Sequence, residues 1–487
     1  GYQLMSSDQS QMTNAPNPAA TGCMIVGFTI SYFWMLRGSM PSEMAGRAAW
    51  VIAFTLVVSV GLEIKANWKA ILRPDVVCFA ALFFLTFFEF LLPQPLYDNM
   101  TNQDSTARAI GVCLIAYGTI AIARHFAPPA PRFLASVLTR DATPRFLLGC
   151  FWFAFAMGFF YMLLAVEFNV FALIDQLTWA RFTQSWQRGR FGDWKALLNE
   201  VGMIVYLVPP LGGIILAGRE KFKLWQLVTV LCALLFTLFQ GYAGGTRNVL
   251  GAYLVTFLIG YALVLTKRRR LEFLALCGLS AIGYVFASKE MLKFREVGLK
   301  EYMSQPKQPS ASFEDKSSDS FYVDYNLLMV AQITDQIPRA RPYAGWEIPY
   351  LALVRPIPRA VWPGKPEGMS TSLEDLVNAA EGTTVSATFI GEAYVAGGTV
   401  GVILASVFFG ILTAWWGRFA SYMRSNFAVL VYASGFFAIV ISMRSMMVLT
   451  TAILPTIAAA CLGMIFLRKA PELDKEDLSR IASPIEL

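Results

Sequence analysis

Apolar runs separated by polar stretches fill most of the chain, at residues 22–36, 46–63, 75–93, 107–123, 145–166, 200–217, 222–240, 248–266, 271–289, 388–416, 427–443 and 446–467. A helix needs about 20 such residues to cross a bilayer. The pattern predicts an all-α polytopic membrane protein with about twelve transmembrane helices. Nine lie in residues 22–289 and three in residues 388–467. The longest polar stretch, residues 290–387, separates the two groups as a large loop expected to be mostly helical. Residues 1–21 are polar and rich in Ser, Asn and Pro, and are expected to be disordered, with Gly1–Leu4 ahead of Met5 read as a tag remnant. Residues 468–487 form a polar tail.

The short basic loops set the expected orientation. Lys267, Arg268, Arg269 and Arg270 make the strongest inside signal, and Lys65 to Arg73, Arg124 to Arg145, Arg219 to Lys223, and Arg418 with Arg424 repeat it. These signals alternate consistently when both termini are cytoplasmic. The loops near residues 94–106, 167–199 and 290–387 then face outward.

Composition agrees: 56% of the 487 residues are hydrophobic and only 15% are charged, against roughly 25% charged in a soluble domain. The net charge of +7 needs no nucleic-acid partner, because cations collect in membrane-flanking loops. The seven cysteines lie in or beside apolar runs, and His125 is the single histidine. A disulfide framework, a zinc site and a histidine-based triad are not expected. No nucleotide-binding glycine loop and no acidic metal cluster occurs, so no metal and no cofactor is expected.

The outward segments carry the candidate chemistry. In residues 167–199, Trp179, Arg181, Trp186, Arg188, Arg190, Trp194 and Lys195 interleave aromatic and basic side chains. This reads as an amphipathic interfacial segment, serving either as an aromatic-belt anchor or as a surface for an anionic headgroup. In Gly241–Asn248, three glycines permit a sharp turn beside Arg247, a cation just inside the apolar boundary that should face a partner or a wet cavity. Snorkelling to lipid headgroups is the alternative. In Val354–Pro366, Arg355, Arg359 and Lys365 ride on a backbone stiffened by four prolines. Guanidinium forks held this way suit a phosphate or diphosphate, although a solvated loop has the same composition. Arg339 and Arg444 lie at the same outward level. Glu392 and Tyr394 stand where the chain re-enters the membrane, and Glu392 either pairs with an arginine or does chemistry.

GGTRN ahead of an inward span, IPRAVWPGKP in the long outer loop and GEAYVAGGTVGV entering a span resemble, in that order, the Wzy-type O-antigen and exopolysaccharide repeat-unit polymerases. Arg181 followed by Gly192 matches an arginine–glycine spacing of some of these enzymes, without a second copy at Arg355 or Arg359. The resemblance implies a GT-C-like glycosyltransferase in the bacterial inner membrane, working on its periplasmic face without a metal. It would transfer the growing glycan from undecaprenyl diphosphate to the non-reducing end of a new lipid-linked repeat unit. On this resemblance Arg247 and Arg359 act in catalysis, with Glu392 as the general base for the acceptor hydroxyl. Arg355, Lys365, Arg339, Arg444 and Arg181 hold diphosphate, and Tyr394 and Trp362 contact sugar. The implied partners are the lipid-linked oligosaccharide, membrane lipid, and a chain-length regulator and flippase of the same pathway. An O-antigen ligase shares this plan, but the long loop lacks the histidine by which ligases are read. A flippase or transporter fits the number of spans but should show internal repeats, which are not apparent.

Overall fold

The computed structural model describes residues 15–66, 68–131, 136–180, 183–186, 198, 200–265, 269–295, 297–304, 325–358, 361–366, 373, 386–423 and 425–467. These residues are helical or irregular, with no strand among them. Ten helices among the described residues are long and apolar enough to cross a membrane. They lie within α1 (Pro18–Met35), α2 (Pro41–Ala66), α4 (Gln103–Ala123), α5 (Pro144–Ala165), α8 (Leu224–Ala243), α9 (Arg247–Val264), α10 (Arg270–Phe294), α14 (Thr388–Arg418), α15 (Asn426–Arg444) and the stretch from Met446 into α17 (Leu454–Phe466). Short α16 (Leu449–Ala452) lies within that last stretch.

The other two expected spans are shorter. The run at 75–93 forms α3 (Pro74–Thr86) and then a 3₁₀ turn, Phe88–Leu91. Pro93 and Pro95, which have no N–H to donate, follow that turn. The run at 200–217 is split into a 3₁₀ segment, Gly202–Leu207, and α7 (Val208–Ala217), with Pro209 and Pro210 in the first turn of the α-helix. Both breaks place irregular backbone at the end of the bundle that carries the long loop. Smaller helices decorate this end: α6 (Val170–Leu177), α11 (Leu299–Ser304), α12 (Asn326–Gln336) and α13 (Glu347–Val354).

Local chemistry sets the helix starts. Asn17, Asn102, Thr143, Asn169 and Ser425 each cap a helix with a side-chain oxygen that accepts a backbone N–H. The Asn17 cap starts α1 at Pro18, four residues before the apolar run begins.

Two buried clusters form the interior. One joins α1–α4 to α12 and α14, and the other joins α5, α7, α8, α9 and α15. Helix α15 takes part in both and is the most enclosed of the long helices, 89% of its apolar window being buried. Helix α10 is peripheral.

At the end of the bundle opposite the long loop, four charged side chains are sealed inside. Arg73 bonds Glu63 at 2.8 Å and Asp75 at 2.5 Å. Arg124, fully buried, bonds Glu63 at 3.0 Å and Asp75 at 2.9 Å. The Asn17 N–H donates to Glu63, and Arg124 donates to Thr21, whose hydroxyl meets His125. Two acids and two arginines thus tie α1 through α4 into one block. Sequence reasoning reads Arg73 and Arg124 only as exposed inside-loop charges; the structure buries both.

Helix α14 is broken inside its length. Gly397 and Gly398 leave helical geometry, Gly398 at φ +60°, where a side chain would be strained and would also strike the Tyr343 ring. The carbonyls of Val395 and Ala396, freed by the break, accept the N–H groups of Ala344 and Gly345 at 2.9 Å. The loop before α13 is thereby stitched to the membrane helix.

Candidate functional site

Three helix ends meet at the loop-bearing end of the bundle. Helix α8 turns into α9 through Gly244, Gly245 and Thr246, with Gly245 at φ +64°. A Cβ at Gly245 would lie 3.3 Å from the Arg295 side chain, so the glycine lets Arg295 pack on the turn. Arg247 opens α9, Arg295 follows α10, and Arg444 ends α15. Arg247, Arg295 and Arg444 line one narrow cavity together with Thr246, Asn248 and Asn326. No acid is among its described lining residues. As it stands the cavity measures about 10 Å³, roughly the least that admits one water. A second cavity of about 150 Å³ shares the Thr246 wall and is faced by Tyr161, Tyr206, Tyr253 and Gln240.

The polar wall is built from segments that the hydropathy pattern assigns to membrane or loop. Glu89, on the 3₁₀ turn after α3, is buried and lies 3.7 Å from Arg247. Arg247 also stands over the Phe84 ring. The Gln94 amide donates to the Glu89 carbonyl, and the Tyr325 hydroxyl donates to Gln94, both at 2.9 Å. Burial pushes the Tyr325 phenol up to about 12, which keeps it a protonated donor. Asn326 is 2% exposed and donates to the Leu85 carbonyl at 2.8 Å. Its Oδ1, and the Nδ2 of Asn248, which is 7% exposed, have no hydrogen-bond partner among the described residues. Buried amide groups left in this state cost free energy unless water or a ligand meets them. Glu89 escapes sequence reasoning because a single polar residue barely dents a hydropathy window, Tyr325 and Asn326 because nothing marks them within the long polar loop, and Asn248 stands out only as the end of the GGTRN stretch. The glutamate within the apolar run 75–93 was the one usable signal.

The expected site residues fall into four groups. Arg247 and Arg444 come together, with Arg295 as a third cation. Glu392 and Arg355 form the second group. Glu392 is buried, and accepts hydrogen bonds from the Ser445 hydroxyl at 2.5 Å and the Met446 N–H at 2.7 Å. It therefore holds the turn that directly follows Arg444. Arg355 lies within electrostatic reach of this carboxyl. Helix α13, which Arg355 caps, touches the same turn, and Thr450 donates to its Ala352 carbonyl.

Lys365 belongs to the third group, the loop's own scaffold. Its ammonium donates to the carbonyls of Arg355 and Ile357 at 2.7 and 2.8 Å, closing the proline-rich run on itself. Trp362 sits half-buried in that run, and its backbone N–H donates to Pro358. The fourth group stands apart, across α12. Tyr394 lies within electrostatic reach of Arg108 and exposed Arg339, on the flank of the bundle near α1 and α4. Arg359 and Arg181 lie outside the described residues, as do Arg188, Arg190, Gly192, Trp194 and Lys195. The described part of residues 167–199 includes α6, whose end is pinned by Lys300. The ammonium bonds Asp175 at 2.6 Å, and the Lys300 backbone N–H donates to the Thr178 carbonyl.

Among the described residues no cluster of His, Cys, Asp and Glu could hold a metal ion, and the seven cysteines are free thiols. A family model described as a domain of unknown function, DUF8712, matches residues 316–470. It takes in Arg339, Arg355, Lys365, Glu392 and Arg444 but not Glu89, Arg247 or Arg295. No curated protein and no solved structure matches the chain.

Proposed function

We propose that this protein is a GT-C-like membrane glycosyltransferase that polymerises lipid-diphosphate-linked oligosaccharide repeat units, as the Wzy-type resemblance implies. The observation that carries the reading is the convergence of Arg247, Arg295 and Arg444 on a cavity walled by two incompletely bonded buried amides. Three guanidinium groups gathered at the membrane edge present forked donors at close quarters. A diphosphate at the end of a lipid arrives at this depth and matches their forked geometry. The cavity is too narrow for that group as it stands, so binding parts the arginines. Arg444 is the part that moves, because it ends a helix and its following turn hangs on Glu392.

In the proposed reaction the acceptor hydroxyl attacks the anomeric carbon of the donor sugar. The bond to the lipid diphosphate breaks, the leaving diphosphate takes up the negative charge, and one of its oxygens accepts the proton released by the acceptor hydroxyl. The arginines stabilise that charge as it develops, without a metal. Glu392 acts as a positioning residue for Arg444, in place of the general-base role the resemblance assigns it. Glu89 orients Arg247 from behind. Tyr161, Tyr206, Tyr253 and Gln240 supply rings and polar groups for a sugar in the adjoining cavity.

The test supplies purified protein with a lipid-linked repeat unit in EDTA and resolves the products by length. A ladder of lipid-linked polymer is expected. A second reading, transport, is favoured by the break in α14, since transporters build sites on broken helices. Lipid-linked substrate crossing proteoliposome membranes with no ladder formed would decide for transport.

A further inference from the structure

The largest cavity described, about 640 Å³, lies in neither charged cluster. It is a groove between α1 and α4, roofed at the loop-bearing end by Thr334 of α12 and Tyr394 and Thr399 of α14. Its walls are apolar: Phe28, Tyr32 and Phe33 from α1, and Ile115 from α4. Its floor is open because Gly111 and Gly118 carry no side chain. A Cβ at Gly111 would touch the Tyr32 ring at 3.5 Å, and one at Gly118 would touch Ile25 at 3.6 Å. Arg108 stands at the mouth.

We propose that this groove holds one acyl chain of an anionic phospholipid, with the headgroup phosphate at Arg108. Both walls are membrane-crossing helices, and Phe33 is 63% exposed, so the groove faces the bilayer sideways. From Ala107 to Gly118 the helix rises about 16 Å at ~1.5 Å per residue. That is one leaflet of a hydrocarbon core of about 30 Å. A single acyl chain fits this length, whereas a long polyprenyl chain exceeds it. The mouth selects an anion. Arg108 pairs with Asp335 on the surface, at 42% and 35% side-chain exposure, an arrangement that binds weakly and leaves guanidinium N–H groups for a phosphate. Arg339 lies within electrostatic reach of the same Tyr394. The proposal does not rest on the glycosyltransferase reading.

The experiment uses the full chain in bilayers of phosphatidylethanolamine and phosphatidylglycerol, with a photoactivatable diazirine on the phosphatidylglycerol acyl chain. Irradiation and peptide mapping should place adducts on residues 25–33 and 107–118. Gly118→Leu should cut them roughly tenfold, as overfilling a packed groove predicts. Arg108→Gln should lower the preference for phosphatidylglycerol over phosphatidylethanolamine by roughly fivefold. Adducts spread evenly over the exposed helix faces of the unaltered protein would overturn the proposal whether or not the variants fold. So would a groove from which undecaprenyl phosphate displaces phosphatidylglycerol. Polymer-forming activity is scored separately, so either reading can fail alone.

Discussion

Two charged clusters lie at opposite ends of the bundle, and their difference separates structure from function. At one end Glu63, Arg73, Asp75 and Arg124 pair each arginine with both acids, at 2.5–3.0 Å, inside a sealed interior. Formal charge balances, and the members come from helix ends that must stay together. At the other end Arg247, Arg295 and Arg444 face one cavity, and Glu89 reaches Arg247 only at 3.7 Å from outside its lining. Buried amides beside them keep hydrogen-bonding capacity in reserve. A balanced network clamps helices. On the proposed reading, three arginines beside buried amides suit an anionic ligand.

Breaking the comparison at the balanced end should have the largest effect. Arg124→Ala leaves two buried carboxylates sharing one arginine and should destabilise the fold by about 3–5 kcal/mol. Thermal unfolding in detergent reads this loss, and replacing Glu63 as well should restore part of it. At the other end, Arg444→Ala should leave the unfolding temperature near that of the unaltered protein while activity falls by at least ~10².

Glu392→Gln sharpens the same contrast. The amide can still accept from one of the two donors on the Arg444 turn, so activity should fall only about tenfold, and the turn should loosen by about 1–3 kcal/mol. The pH profile distinguishes the roles. A positioning residue leaves the acid limb in place, whereas removal of a general base abolishes it.

These residues show where sequence reasoning reaches and where it stops. Hydropathy locates each of the ten described helices that are long and apolar enough to cross a membrane, because twenty apolar residues leave few alternatives. It overextends at residues 75–93 and 200–217, where prolines break the backbone into 3₁₀ turns. Arg247 and Arg444 were legible as cations at the membrane edge. Their common outward level was legible too, but the packing of α9, α10 and α15 that gathers them with Arg295 was not. Lys365 shows a related limit: a basic residue in a proline-rich loop reads as a ligand group, and nothing in the sequence hints that its ammonium also donates to the loop's own carbonyls. Glu63 and Asp75 sit at the edges of the apolar runs 46–63 and 75–93, Arg73 and Arg124 in the basic stretches beside such runs, and tertiary contact joins them into one network.

Two smaller effects lie outside both clusters. Lys365→Met should open the proline-rich run and lower its protection from proteolysis, by about 0.5–1.5 kcal/mol per lost hydrogen bond. At the surface, Lys300 and then Trp179 hold the Asp175 carboxyl below its ordinary value. A depressed carboxyl adds stability above its unfolded value of about 4 and loses it as pH falls through the lower folded value. Contact between α6 and α11 should therefore persist at neutral pH and slacken only in strong acid. Asp175→Asn should abolish that pH dependence, read by hydrogen exchange at Thr178 and Lys300.

The central claim is that the arginine-lined cavity holds the lipid diphosphate. The most direct measurement is binding of an undecaprenyl-diphosphate-linked oligosaccharide to purified Arg444→Ala protein of verified thermal stability, beside the unaltered chain. The account predicts unchanged unfolding and affinity weakened by at least about tenfold, as loss of a charge-assisted hydrogen-bond pair requires. Equal affinity in the two proteins would contradict it and move the diphosphate away from α9 and α15.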